Sequence, residues 1–265
     1  MNLSMMSCMI GSSLPPSETI EAARYANIDA VDWITCHNTP AKELKKMSDD
    51  AGLKIVAYTD FAWKFQDGRE DWKDEYRTIF DNAAALNAPV VMIPPFAIKG
   101  KDLKEGFKAW KDYYCEVTEE AKKYPFTLTL ESTGMATSPV VTGEEVLEIL
   151  QAAPGLKVTF DEGNTSTACD PLKAYDLLKD HVVHFHLKDW LIYDSPAEGT
   201  FPNRDGRHRA NIIIGEGMLD LKAFWDIVLP EQKKNCYVNL ETFDFTGKTS
   251  KKESIKKVAD LLRNW

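Results

Sequence analysis

The segment VVHFHLKD, residues 182–189, alternates apolar side chains with two histidines. Successive side chains of a β-strand point to opposite faces, so a strand here places His184 and His186 on one face and the apolar residues on the other. The segment therefore predicts a strand with one polar and one apolar face.

Three other segments have the same alternation and end on an acidic residue. Glu131 closes FTLTLE, Asp161 closes KVTFD and Glu241 closes YVNLE. A polar interior inside an apolar layer is what a (β/α)8 barrel requires, and the reacting groups of that α/β fold lie at the C-terminal ends of its strands. The sequence predicts such a TIM barrel, with four potential metal ligands at one mouth. They are Glu131, Asp161, His186 and Glu241.

The length of 265 residues fits one barrel domain over residues 1–265, because such barrels usually contain about 250 residues. Hydrophobic residues make up 44% and charged residues 28% of the chain, which favours an ordered globular protein. The net charge of −9 argues against a nucleic-acid partner, because an acidic surface repels phosphate backbones.

The five cysteines are odd in number and lack CxxC spacing, which predicts free thiols rather than a disulfide framework or a thiolate zinc site. The segment from Met1 to Ile10 lacks a basic start and predicts a first strand rather than a signal peptide. No apolar run approaches the roughly 20 residues that span a bilayer. We expect a cytoplasmic protein with no membrane partner.

Eight strand–helix units can be counted along the chain. The predicted strands cover residues 3–10, 28–34, 53–59, 89–93, 126–131, 156–160, 182–189 and 236–241. The predicted helices cover residues 17–25, 40–51, 70–86, 103–124, 142–153, 219–229 and 250–262, with one more opening at Asp170-Pro171. Capping boxes are predicted at Thr142 with Glu145 and at Ser250 with Glu253.

The stretch from Trp190 to Gly217 is the least regular part of the sequence and contains a cluster of basic residues. A long loop after a barrel strand is usually a lid or a substrate loop. The basic side chains in it either bind a carboxylate or phosphate of the substrate or form a solvated loop. They are Arg204, Arg207, His208 and Arg209.

Two glutamates, one aspartate and one histidine form a hard, oxygen-rich ligand set. This set favours one divalent ion, Mn²⁺ first, with Mg²⁺, Co²⁺ or Zn²⁺ as alternatives. A single strand-end glutamate is more often a salt-bridge partner, and a single strand histidine is more often a core residue. Four such residues favour a metal site, because all four lie on the polar face of their strand at equivalent strand ends.

Five motifs resemble the xylose isomerase-like superfamily of sugar isomerases and epimerases. They are TLESTG with Glu131, VTFDEGNT with Asp161, HFHLKDW with His186, IGEGMLDL after it, and VNLETF with Glu241. The resemblance covers most of residues 3–262, and its most specific part is the pairing of HLKD with GEG. It implies a TIM barrel with one divalent metal held at these four ligand positions.

The resemblance also implies that Glu131 and Glu241 act as an acid/base pair on opposite sides of the substrate. A metal that chelates a carbonyl oxygen and the neighbouring hydroxyl stabilises an enediolate and lowers the barrier to removing the α proton. The two glutamates can then remove and return a proton if their pKa values differ. One departure is Asn164, where sugar epimerases of this superfamily commonly carry a histidine. An amide cannot shuttle a proton near neutral pH, so lyase chemistry stays open.

Asn164 is still a candidate for binding a substrate hydroxyl, and other side chains near the strand ends have two interpretations each. Lys188 either reaches an enolate oxygen or pairs with Asp189, and His184 either supports the metal ligands or belongs to the core. Three aromatic residues follow strands two and three and either form a wall for sugar stacking or fill the core. They are Trp33, Phe61 and Trp63.

We therefore expect a metal-dependent isomerase or epimerase of a small sugar, keto sugar or sugar acid. The alternative is a lyase on the same barrel, which dehydrates a keto-polyol or eliminates from a 3-keto glycoside. A nuclease of the related endonuclease IV type needs more histidines than the five in this chain. A noncatalytic sugar-binding barrel remains if no metal binds. The expected partner is a small-molecule carbohydrate, and barrels of this kind often form homo-oligomers.

Overall fold

Eight parallel strands close into a barrel in the computed structural model, which describes residues 1–11, 13–244 and 246–265. The barrel strands are β1 (Asn2–Met6), β2 (Ala30–Ile34), β3 (Lys54–Thr59), β4 (Val90–Met92), β5 (Thr127–Leu130), β6 (Lys157–Asp161), β7 (Val182–Leu187) and β11 (Tyr237–Leu240). The strands β8 (Asp189–Tyr193), β9 (Phe201–Pro202) and β10 (His208–Ile212) lie outside the barrel. The order around the barrel is β1-β11-β7-β6-β5-β4-β3-β2. The chain thus has the predicted (β/α)8 TIM-barrel fold.

Helices surround the barrel. They are α1 (Pro16–Tyr25), α2 (Ala41–Asp50), α3 (Trp63–Gln66), α4 (Trp72–Leu86), α5 (Leu103–Ala121), α6 (Gly143–Ala152), α7 (Glu162–Thr165), α8 (Pro171–Leu178), α9 (Leu221–Ile227), α10 (Pro230–Asn235) and α11 (Lys251–Leu262). The predicted capping boxes at Thr142 and Ser250 are present. Across the described residues, no helix has the length and apolarity to cross a membrane.

The interior of the barrel is polar and hydrogen-bonded. The Thr129 and Thr159 hydroxyls lie 2.8 Å apart, and the Asn239 side-chain amide donates to Asp32 Oδ2 at 3.0 Å. Ser4 Oγ donates to Asn239 Oδ1 at 3.0 Å. These residues are fully buried, so each pairing removes the cost of an unsatisfied buried polar group. The alternation predicted from the sequence therefore fixes which side chains face inward.

The first predicted strand is too long. β1 ends at Met6, and Ser7–Met9 forms a 3₁₀ turn. The reason is Ser7, whose hydroxyl accepts from the backbone N–H of Ile34 at 2.8 Å and lies 2.8 Å from His37 Nε2. These bonds turn the chain away from the ladder. The helix predicted over residues 219–229 is shorter as well, because α9 ends before Pro230, which opens α10.

The stretch after β7 is more regular than predicted. β8, β9 and β10 form an antiparallel sheet, in which His208 pairs with Tyr193 and Ile212 pairs with Asp189. β8 contains the run of β-favouring residues WLIY at positions 190–193, which is the signal that the Pro and Gly content of the stretch obscured. The loop is therefore a small sheet that packs over the barrel mouth.

Candidate metal centre

Four side chains converge at the C-terminal mouth of the barrel. Asp161 ends β6 and His186 lies in β7, where the two residues pair in register. Glu131 and Glu241 directly follow β5 and β11. One ligand atom from each of the four residues lies within 4.8 Å of the others. Parallel neighbouring strands in matching register thus bring together the four residues that the sequence singles out as ligands.

The donor atoms of this cluster fit a cation. Glu131 Oε1 lies 2.6 Å from His186 Nδ1, but the angle does not suit a hydrogen bond. Among the described residues, these two atoms are buried without a hydrogen-bond partner, and Asp161 Oδ2 has no partner beyond the Lys188 ammonium 3.1 Å away. Such atoms are costly unless something binds them. Three carboxylates and one imidazole form a hard ligand set that suits Mn²⁺, Mg²⁺ or Co²⁺ and also accepts Zn²⁺.

The charges of the cluster also favour the binding of a divalent cation. Burial raises the pKa of the Asp161 carboxyl to about 8, with Glu131 and Glu241 raising it further and the Lys188 ammonium opposing them. Lys188 Nζ lies 2.8 Å from Glu241 Oε1 and 3.1 Å from Asp161 Oδ2. Three carboxylates and one ammonium leave two negative charges, which one divalent ion balances. A cation there lowers the pKa of each carboxyl, so its binding displaces protons.

Asp32 orients the His186 ring. His186 Nε2 lies 3.5 Å from Asp32 Oδ2 and 3.2 Å from the Asn239 amide nitrogen. The Asn239 amide nitrogen is a donor and so suits an unprotonated Nε2, whereas Asp32 Oδ2 is the acceptor for an Nε2 proton in the tautomer whose Nδ1 binds a metal. This arrangement leaves Nδ1 free to face Glu131 as a metal ligand, the role that an outer carboxylate commonly has in metal sites.

Replacing Asp32 by asparagine is expected to weaken metal affinity by roughly 10–100-fold, because the ring loses the carboxylate that fixes its tautomer. Titration calorimetry with Mn²⁺ measures this effect. Thr159→Val is the matched control, since Thr159 lies in the same buried layer but bonds to Thr129. Equal weakening in both variants would mean that the loss reflects general disturbance of the barrel interior.

Contacts of Asp189 explain why the HLKD and GEG motifs occur together. The Asp189 carboxylate accepts backbone N–H groups of Gly215, Gly217 and Leu219 at 3.0–3.2 Å, and that of Trp190 at 2.9 Å. A side chain at Gly217 would collide with this carboxylate, since a Cβ there would lie 2.1 Å from Asp189 Oδ1. Asp189 is thus occupied by backbone donors, and Lys188 pairs with the ligand carboxylates instead.

A cavity of about 220 Å³ opens above the ligands. Its polar wall includes Asn164 and Lys188, both predicted from the sequence as substrate contacts. The rest of the wall is largely apolar. Among its lining residues are Met6, Phe61, Met92, Pro94, Phe96, Met135, Trp190 and Phe201. The volume is below the roughly 300–1,000 Å³ of drug-sized ligand pockets, so a small molecule fits it best.

The structure does not bring the basic cluster of the long loop to this cavity. Arg209 is fully buried, and its guanidinium donates to both Asp205 oxygens at 2.8–2.9 Å. Arg207 donates to the same carboxylate at 2.9 Å, and Arg204 pairs with Glu145 at 2.8 Å. His208 is a strand residue of β10 that pairs with Tyr193 and Pro202. These side chains stabilise the small sheet.

The other residues predicted for the site differ in whether they reach the cavity. Trp33 is fully buried, and its indole N–H donates to Ser48 Oγ of α2 at 3.1 Å, away from the cavity. Trp63 is 55% exposed and packs on Phe61, which lines the cavity. His184 is buried below His186, with ring centroids 5.5 Å apart. Burial, with help from His186, lowers the pKa of His184 well below its usual value, which keeps the ring neutral.

Two candidate site positions were not predicted from the sequence. Asn211 reaches the cavity from β10, and Asp32 supports His186 from β2. The signal for Asp32 was present, since it is the one carboxylate in the otherwise apolar segment AVDWI. Asn211 had no comparable signal, because its strand was not recognised.

The chain belongs to the xylose isomerase-like TIM barrel family, whose sequence model matches residues 19–265. No curated protein matches the sequence. The chain resembles a structure of the IolI protein with a bound zinc atom, at TM-score 0.77 and 16% identity over 100% of this chain and 97% of that one. It resembles a D-psicose 3-epimerase solved in the presence of D-fructose, at TM-score 0.76 and 14% identity over 100% and 98%.

A third similar structure is the probable 3-DHS dehydratase AsbF from Bacillus anthracis. Its TM-score is 0.73 and its identity 15%, over 100% of this chain and 99% of that one. At these identities the likeness shows the fold alone. The epimerase and the probable dehydratase are named for different reactions on the same barrel, so the reaction has to be argued from the site.

Proposed function

We propose that this protein is a metal-dependent isomerase or epimerase of a small sugar, keto sugar or sugar acid. The observation that carries the proposal is the placement of two carboxylates, Glu131 and Glu241, beside one cation-fitting cluster in a small cavity. The similarity to a D-psicose 3-epimerase supports it. The proposed ligands are Glu131, Asp161, His186 and Glu241, and Mn²⁺ is the proposed ion.

When bound, the divalent ion supplies Lewis acidity, which polarises a carbonyl and acidifies the neighbouring C–H. A carboxylate oxygen of Glu131 takes that proton from one face of the substrate, and Glu241 returns a proton on the other face. Return to the same carbon inverts it. Return to the neighbouring carbon moves the carbonyl, provided that the hydroxyl proton passes to the former carbonyl oxygen. A proton handled by a positioned side chain typically accounts for 10²–10⁴-fold in rate.

Other side chains of the cavity would hold the substrate and exclude water. Lys188 Nζ pairs with Glu241 Oε1 and lies within the cavity wall, where it can also donate to a negative oxygen of the substrate. The amides of Asn164 and Asn211 can bind hydroxyl groups. The apolar wall formed by residues such as Trp190 and Phe201 limits the access of water to a reactive intermediate.

A lyase acting on a keto-polyol or a 3-keto glycoside is the second candidate. It begins with the same proton abstraction, and the favouring observation is Asn164. Its side-chain amide donates to the Ser132 carbonyl at 2.9 Å, and an amide cannot return a proton to a substrate oxygen. The similarity in fold to a probable dehydratase is compatible with this candidate.

Proton exchange in D₂O tests both candidates. We expect Mn²⁺-loaded protein to exchange one α proton on at least one member of a panel of keto sugars, inososes and 3-keto glycosides, read by NMR. Isomerised or epimerised product supports the first candidate, and loss of water or an aglycone supports the lyase. If no member exchanges while metal is bound, proton abstraction next to a carbonyl is the wrong chemistry.

A further inference from the structure

An aromatic surface continues from the cavity to the outside of the protein, next to the ends of β3 and β4. Phe61 and Phe96 both line the cavity, with ring centroids 5.9 Å apart. Trp63 packs on Phe61 with ring centroids 5.1 Å apart, yet 55% of Trp63 is exposed. A large exposed indole that adjoins a ligand cavity offers binding surface that the fold itself does not use.

The backbone holds Trp63 in place. Ala62, just before it, has a left-handed conformation with φ of 48°, which is uncommon for a residue other than glycine and persists where surrounding contacts determine it. The backbone N–H of Lys64 donates to both oxygens of Glu75, at 2.8 and 3.1 Å. The side-chain amide of Gln66 donates to the Phe61 carbonyl. With its backbone fixed and its ring packed on Phe61, Trp63 loses less conformational freedom when a ligand stacks on it than a residue in a loose loop would.

The inner end of the cavity is charged, and its outer rim is apolar. Glu131 and Lys188 are 5% and 4% exposed, and they belong to the inner, charged end. Met135, which also lines the cavity, is 44% exposed and belongs to the rim. A volume of about 220 Å³ holds one small ring at the charged end. Any substituent on that ring therefore projects toward the rim formed by Phe61, Met135 and the neighbouring Trp63.

We propose that Trp63, supported by Phe61, is a distal subsite for a flat aromatic substituent, so that the substrate is an aryl glycoside or a similarly substituted keto sugar. This inference rests on the proposed function, since it needs a sugar ring at the metal cluster. An aromatic ring suits this rim better than a second sugar, because sugar hydroxyls need hydrogen-bond partners and the rim side chains Phe61, Phe96 and Met135 are apolar.

Titration calorimetry on Mn²⁺-loaded full-length protein tests the subsite with two probes, phenyl and methyl 3-keto-β-D-glucopyranoside. We expect the phenyl glycoside to bind roughly 10-fold more tightly, as stacking on an indole provides. Trp63→Ala should reduce this preference to below about 2-fold while the protein keeps its manganese. Tyr25→Ala is the matched control, since Tyr25 is 50% exposed but ends α1 at the opposite end of the barrel.

Four results would overturn the subsite. One is equal affinity of wild-type protein for the two probes, and another is a preference that survives Trp63→Ala. The third is no binding of either probe, in which case α-proton exchange on an unsubstituted keto sugar would still leave the proposed function in place. Sedimentation velocity accompanies the titrations. If Trp63→Ala changes only the oligomeric state, Trp63 belongs to a subunit contact and the subsite is rejected.

Discussion

Glutamine in place of Glu131 or Glu241 lowers kcat by roughly 10²–10⁴, while the protein retains a good part of its metal. The amide keeps the shape of the side chain and one oxygen ligand, but it cannot accept a proton. Each variant should therefore lose rate faster than it loses metal. Steady-state kinetics on the substrate found by proton exchange, together with elemental analysis of bound manganese, measure the two effects separately.

Glu162→Gln is the matched control for these variants. Glu162 is a buried glutamate one residue after Asp161, but it does not line the cavity. Burial, with help from Asp161 and Asp189, raises its pKa well above the usual value, which favours the neutral carboxyl that an amide resembles. We expect its kcat to change less than 10-fold. If excess metal restores Glu131→Gln and Glu241→Gln to near wild-type turnover, neither glutamate carries the proton.

Asp161→Asn should lose metal affinity and keep the groups that transfer the proton, because we assign Asp161 to ligation alone. Removing an outer partner of a metal ligand already weakens affinity by roughly 10–100-fold, so losing a ligand charge should cost at least as much. The activity of Asp161→Asn at low metal should therefore be close to zero, and excess Mn²⁺ should largely restore it. Activity titrated against free Mn²⁺ gives the shift in metal affinity.

Thermal unfolding gives a readout of the same prediction that does not depend on activity. A ligand at about 100 times its Kd stabilises the folded state by about 2.7 kcal/mol, which corresponds to roughly 5–10 °C in Tm for a domain of this size. Removing the ion with a chelator should lower the Tm of wild-type protein by this amount and the Tm of Asp161→Asn by much less. An equal loss in both proteins would mean that the stabilising ion is bound elsewhere.

The barrel and its four candidate ligands were predictable because both depend on local alternation. A strand has a period of two, so the sequence alone decides that His186 shares a face with His184 and that Asp161 shares one with Thr159. Parallel strands then align their ends without further information. The structure pairs Asp161 with His186 and Asn239 with His186, which is the alignment that the sequence pattern requires.

What the sequence did not reveal depends on contacts between distant segments. The partner of His186 is Asp32, more than 150 residues earlier in the chain. Trp33 faces α2, where Ser48 accepts its indole N–H, and nothing near Trp33 in sequence indicates that direction. The role of Arg209 has a local cause instead, because Asp205 lies only four residues before it and the two side chains meet when β9 and β10 form their hairpin.

The bonds of the Asp189 carboxylate determine which segment of this protein can accept insertions. Its bonds to the backbone at Trp190, Gly215, Gly217 and Leu219 join both ends of the small sheet to the barrel beside Lys188. The connection from β8 to β9, by contrast, is exposed over residues 194–199. Insertions there can lengthen the hairpin without moving Lys188. The tip of the sheet is thus the segment where related chains can acquire new recognition surfaces while the reacting groups stay in place.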